Sequence, residues 1–117
     1  MVLAKRFEEL EIWQEARELH RVIWGEFKEC RELAFRNQIR RAALSVMNNI
    51  AEGFERRTPK DLAHFLDLAK GSCGEVRSMN YASEDIGVLS QETGLQLRAQ
   101  SEALSQRIAA FSRHLRR

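Results

Sequence analysis

Apolar residues recur three and four positions apart along nearly the whole chain, and the pattern breaks only at a few short polar corners. That period belongs to helices that each bury one stripe. In the first segment, about Glu9 to Glu29, the stripe is Ile12, Ala16, Leu19, Ile23 and Phe27. Leu10, Trp13, His20 and Trp24 widen it, so this helix is expected to touch more than one neighbour. In the second, about Asn37 to Arg56, the stripe is Ile39, Ala43, Val46, Ile50 and Phe54, with Asn37 as the expected N-cap. The third runs from Leu62 through Phe65, Leu66, Ala69, Cys73, Val76, Asn80 and Ser83 towards Ile86. In the fourth, Leu97, Ser101, Leu104, Ile108, Phe111 and Leu115 alternate in the four-three rhythm of a coiled-coil seam.

The corner between the second and third segments is the sharpest local feature. Thr58-Pro59-Lys60-Asp61 offers an N-cap hydroxyl, a proline at the first helical position and a carboxylate at the third. Gly87 is the expected stop of the third helix, and the fourth starts near Ser90 or Thr93. Pro59 is the one proline, and with six glycines there is too little punctuation for a strand-rich fold. Short connections force sequential helices to run antiparallel. The expected fold is all-α: one up-down-up-down four-helix bundle domain covering residues 1–117.

Several classes of function fall away at this level. No apolar run approaches the roughly 18 residues of a membrane span. Met1 to Arg6 lack the apolar stretch of a secretory leader, so the expected location is the cytoplasm and no membrane partner is expected. Cys30 and Cys73 are far apart and read as reduced, buried side chains. His20, His64 and His114 are scattered, and no HExxH, CxxC, Glu-x-x-His or glycine-rich phosphate loop occurs. No catalytic residue, metal ligand or cofactor is assigned.

A polar seam interrupts the second and third helices. Arg41, Ser45, Asn49 and Glu52 share one helical face, and Gly71, Ser72, Gly74 and Glu75 cluster in the middle of the next helix. Counting outward from the Thr58 corner sets Ser45 near Lys70 and Gly71, and Arg41 near Gly74 and Glu75. The expectation is close backbone approach at Gly71, Ser72 and Gly74, an Arg41–Glu75 ion pair, and Asn49 and Glu52 within reach of His64. Such a seam can fix helix register without chemistry. The lesser alternative is a partner-binding or ligand-binding pocket, which would require it to stand open.

Together these residues look familiar. Phe7-x-x-Leu10-x-x-Trp13-Gln14-x-Ala16 opens the first helix. Gln38-Ile39-Arg40-Arg41-Ala42-Ala43-x-Ser45-Val46-x-x-Asn49-Ile50-Ala51-Glu52-Gly53 fills the second, and Phe65-Leu66-x-x-Ala69-x-Gly71-Ser72-x-x-Glu75 marks the third. The chain resembles the four-helix bundle family of 23S rRNA intervening-sequence proteins, which includes the accessory variability determinant of diversity-generating retroelements. The resemblance implies an antiparallel bundle, a ring-shaped homopentamer and association with nucleic acid. Its retroelement members imply a reverse transcriptase and its RNA as partners.

The net charge is only +2, but acidic and basic segments alternate: residues 1–30 and 58–89 carry an acidic excess, 31–57 and 90–117 a basic one. Neighbouring helices could attract each other by this pattern, or a basic face could meet an anionic partner. The candidate contacts to RNA or DNA are Arg36, Arg40, Arg56, Arg57, Arg107, Arg113, Arg116 and Arg117. No interleaved aromatics offer stacking for single-stranded bases, so sequence-specific reading is not expected. The alternative is a protein–protein scaffold whose arginines serve solubility and subunit contacts. Two tryptophans on one helix also suggest that some surface is covered by another copy.

Overall fold

A computed structural model describes residues 4–117; Met1–Leu3, part of the segment read above for a leader, lie outside them. A short 3-10 turn, Phe7–Glu9, precedes four helices: α1 (Glu11–Glu26), α2 (Leu33–Glu55), α3 (Pro59–Asp85) and α4 (Gln91–Leu115). They form an elongated antiparallel bundle of 44 × 20 × 19 Å, and no strand occurs among the described residues. α3 is the central rod, packed along α2 on one side and α4 on the other. α1 leans mainly on α2 and meets α4 more lightly.

Local chemistry explains the boundaries. Thr58 is extended, and its hydroxyl accepts from the Asp61 N–H at 3.1 Å, with Pro59 opening α3. The Ser90 hydroxyl caps α4 by accepting from the Thr93 N–H at 3.1 Å. Gly87 takes a φ of +78°, a left-handed conformation open to glycine, and so turns the chain out of α3. Asn37 does not cap α2. That helix begins earlier, at Leu33, behind Glu32, which makes no side-chain cap bond, and Asn37 is an exposed residue inside it. Phe35, half-buried against Phe27, draws this extra turn onto the core.

The expected stripes are the core. Ala16, Leu19, Ile23, Phe27, Ile39, Ala43, Val46, Ile50, Leu66, Ala69, Val76 and Ile108 are all fully buried. Each large apolar side chain among them contributes about 1.5–3 kcal/mol of transfer free energy. Phe54, Phe111 and Leu115 lie at the margin, half-buried.

The α2–α3 seam forms, with different partners from those expected. The Ser45 and Ser72 hydroxyls meet at 2.9 Å, and the Asn49 amide donates to the Ser45 carbonyl at 2.9 Å and to its hydroxyl at 3.0 Å. The register counted from the corner therefore holds closely. Glu75 accepts from the Gln38 amide, and Arg41 is exposed with no ion pair among the described residues. Glu52 pairs with Arg56 at 3.4 Å, while His64 packs edge-on against Phe65; neither Asn49 nor Glu52 bonds it. Gly71 and Gly74 point outward, and a Cβ at either would meet nothing within 4 Å. The close approach is at Gly53, where a Cβ would lie 2.6 Å from Phe65 Cβ and 3.4 Å from Leu62 Cα.

The alternating charge also ties helices together. Arg98–Glu84, Arg77–Glu102 and Arg116–Asp67 join α4 to α3, and Arg107–Glu15 joins α4 to α1. Gly94 makes room for the Glu84 carboxylate in the best buried of these pairs.

Candidate nucleic-acid interface

Helix α1 is chemically two-sided. On one flank of its buried stripe stand Glu11, Glu15, Glu18 and Glu26; on the other, at four-three-four spacing, stand Trp13, Arg17, His20 and Trp24. The Glu15–Arg107 pair turns the acidic flank towards α4. Trp24 turns the other flank towards α2. The Arg40 guanidinium lies 3.8 Å from the centre of the indole, and its Nη2 donates to the Trp24 carbonyl at 2.8 Å. The His20 ring is 5.7 Å from that of Trp24. Farther along, Arg17 lies 5.8 Å over Trp13, which packs on Phe7 at 5.2 Å. Along the junction of α1 and α2, called the groove below, cations and aromatic rings alternate, and Trp24 is 52% exposed.

The electrostatics of this groove are unbalanced. Arg36 and Arg40 are one turn apart, and among the described residues no carboxylate pairs with either, or with Arg17. Desolvation, then the charge of Arg36, lowers the pKa of Arg40; guanidinium nevertheless stays charged at any physiological pH. Burial, then the charge of Arg40, lowers the pKa of His20 and holds its imidazole neutral at pH 7. The Nε atoms of Arg36 and Arg40 are buried and have no hydrogen-bond partner. Each such unmet donor costs about 1–3 kcal/mol. An anion seated beside the two guanidinium groups would offset their like-charge repulsion.

The other arginines do not join this surface. Arg56 is paired with Glu52 and lies 5.0 Å over Phe65, and Arg57 forms the exposed corner before α3 with a φ of +68°. Both stand at the opposite end of the bundle from Arg36. Arg107 is engaged by Glu15, and Arg116 by Asp67, whose pKa it lowers by its hydrogen bond. Arg113 and Arg117 are exposed and form no ion pair among the described residues.

The seam hydroxyls of Ser45 and Ser72 close on each other. A cleft of about 670 Å³ lies at the corner end, lined by Ala4, Lys5, Phe54, Arg57, Pro59 and Leu62 among others. Burial raises the Cys73 thiol to about 12, which keeps it protonated. Among the described residues no three His, Cys, Asp or Glu side chains converge as a metal would require, and no helix is long and apolar enough to cross a membrane.

The sequence model described as 23S rRNA-intervening sequence protein matches residues 8–110, nearly the whole bundle. The chain belongs to the 23S rRNA-intervening sequence protein family. No curated protein matches it. In this family member the groove residues, from Trp13 to Arg40, all fall inside the matched segment, whereas Arg113, Arg116 and Arg117 follow it.

Sequence reasoning counted Trp13 and Trp24 as extensions of the α1 core and so missed the groove. The signal was present in the spacing. Trp13, Arg17, His20 and Trp24 follow one another at helical intervals, one step beside the buried stripe rather than on it. Only the placement of α2 adds Arg40 and Arg36 to them.

Proposed function

We propose that this protein is a non-enzymatic, oligomeric helical module that binds nucleic acid, RNA in the first place, in the cytoplasm. The observation that carries the reading is the Arg36–Arg40 pair. Two neighbouring cations that no carboxylate pairs among the described residues, beside a half-exposed indole, are suited to phosphate. Membership of a family described by an rRNA-intervening sequence supports the same ligand class. Arg113 and Arg117, unpaired at the far end, are secondary candidates for phosphate contact.

The homopentameric ring implied by the family resemblance is part of the proposal. Support comes from Gly71 and Gly74, two glycines on an outer helix face where nothing approaches within 4 Å, with exposed Leu68 one turn before Gly71. Each glycine costs about 1 kcal/mol relative to alanine in a helix interior. Within one chain nothing offsets that cost, whereas a second copy packing there would. A retroelement setting would add a reverse transcriptase and its RNA as partners.

Retention of a labelled RNA across a salt series tests the reading. Binding should fall linearly on a log–log plot, and the Arg36→Glu/Arg40→Glu variant should flatten the slope by about 1.4, the share of two phosphate contacts on a single strand. Absence of RNA and DNA binding at low salt would overturn it in favour of a protein-only scaffold. Light scattering tests the assembly, and a monomeric mass would remove the oligomeric part.

A further inference from the structure

We infer that the α1–α2 groove takes single-stranded nucleic acid, with an unpaired base stacked on the exposed part of Trp24 and the flanking phosphates held by Arg36 and Arg40. This rests on the nucleic-acid reading above and adds the form of the ligand and the residue that selects it. The charges alone would accept any polyanion. The ring narrows the choice. Arg40 covers one face of the indole at 3.8 Å, and the ring, 52% exposed, leaves the rest of its surface open to a base beside two guanidinium groups that no carboxylate pairs among the described residues. A duplex presents phosphates but keeps its base faces stacked inside, so it can use the arginines and not the ring. A single strand can use both.

The geometry favours Trp24 over Trp13 as the platform. Arg40 sits on Trp24 at 3.8 Å and bonds its carbonyl, which fixes both the ring and the cation before any ligand arrives. Trp13 is half-buried, packs against Phe7, and has Arg17 only at 5.8 Å. His20, partly buried and 5.7 Å from the Trp24 ring, adds no charge beside it at pH 7, its pKa lowered by burial and then by Arg40.

The test uses the full chain with a twelve-nucleotide oligouridylate and an RNA duplex of the same length at low salt. In a Trp13→Phe variant, where Trp24 is the remaining tryptophan, the oligouridylate should quench the fluorescence and the duplex should not. Trp24→Leu should weaken oligouridylate binding roughly tenfold to a hundredfold, the loss typical of one stacked base, and leave duplex binding unchanged. Trp24→Phe, which keeps a ring, should recover most of the affinity. A thermal melt of each variant verifies folding, which Trp24→Phe preserves if Trp24→Leu does not. Equal binding of strand and duplex, with no response to Trp24→Leu or Trp24→Phe, would overturn this inference while leaving nucleic-acid binding in place. Failure of both probes to bind would overturn the two together.

Discussion

The same substitution, glycine to alanine, should act in opposite directions at two places on the α2–α3 pair. At Gly71 a Cβ would enter open space, so Gly71→Ala should yield the full propensity gain of about 1 kcal/mol. At Gly53 the new Cβ would stand 2.6 Å from Phe65 Cβ and 3.4 Å from Leu62 Cα. Neither atom can rotate away, because one is backbone and the other is bonded to it. The helices must separate instead, which costs about 2–3 kcal/mol. Subtracting the propensity gain leaves a net loss of about 1–2 kcal/mol. For a two-state domain of this size 1 kcal/mol corresponds to about 4 °C in Tm. Thermal denaturation followed by circular dichroism should therefore show Gly71→Ala melting about 4 °C higher and Gly53→Ala about 4–8 °C lower. If the two variants shift in the same direction, the assignment of Gly53 as the point of closest approach is wrong. The measurement is made at a protein concentration low enough to keep association out of the comparison, since Gly71 is also placed on the proposed subunit surface.

Other outcomes follow from single contacts. Thr58→Ala removes the hydroxyl that caps α3 and should cost about 1 kcal/mol, read as a Tm lowered by about 4 °C. Asp67 has its pKa lowered, first by the hydrogen bond from Arg116, so its stabilising contribution is present above the ordinary carboxylate range and is lost as pH falls through the depressed value. Arg116→Ala should shrink that acid limb in a series of Tm against pH. Cys73, raised to about 12 by burial, should resist thiol reagents at mildly alkaline pH in the native protein and react once denaturant is added. Rapid labelling of Cys73 in the folded state would contradict its place in the core.

The fold was largely legible because its evidence is local or periodic. The Thr58-Pro59 corner and Gly87 each act through their own backbone, so α3 is bounded as read. The start of α2 was not legible, because Leu33 follows Glu32 without a capping hydroxyl, and tertiary packing of Phe35 holds that turn. The glycines were misassigned for a geometric reason. Ala69, Cys73 and Val76 define the buried stripe of α3, so Gly71 and Gly74 face away, while Gly53 continues the buried stripe of Val46 and Ile50. The groove needed two helices in register: its α1 half was readable as spacing, but nothing in the sequence says which flank of α1 meets Arg40.

The side chains of the α1–α2 groove stand on flanks, whereas the frame is set by interior positions such as Leu19, Ile23, Ile39 and Val46. The proposed recognition and the architecture are therefore written in separate alphabets along the same two rods. On the proposed reading, exchanging Arg36 or Arg40 for other solvent-compatible residues would alter binding while leaving the buried stripes intact. On that reading a few surface substitutions could redirect the protein to another ligand without the folding problem having to be solved again.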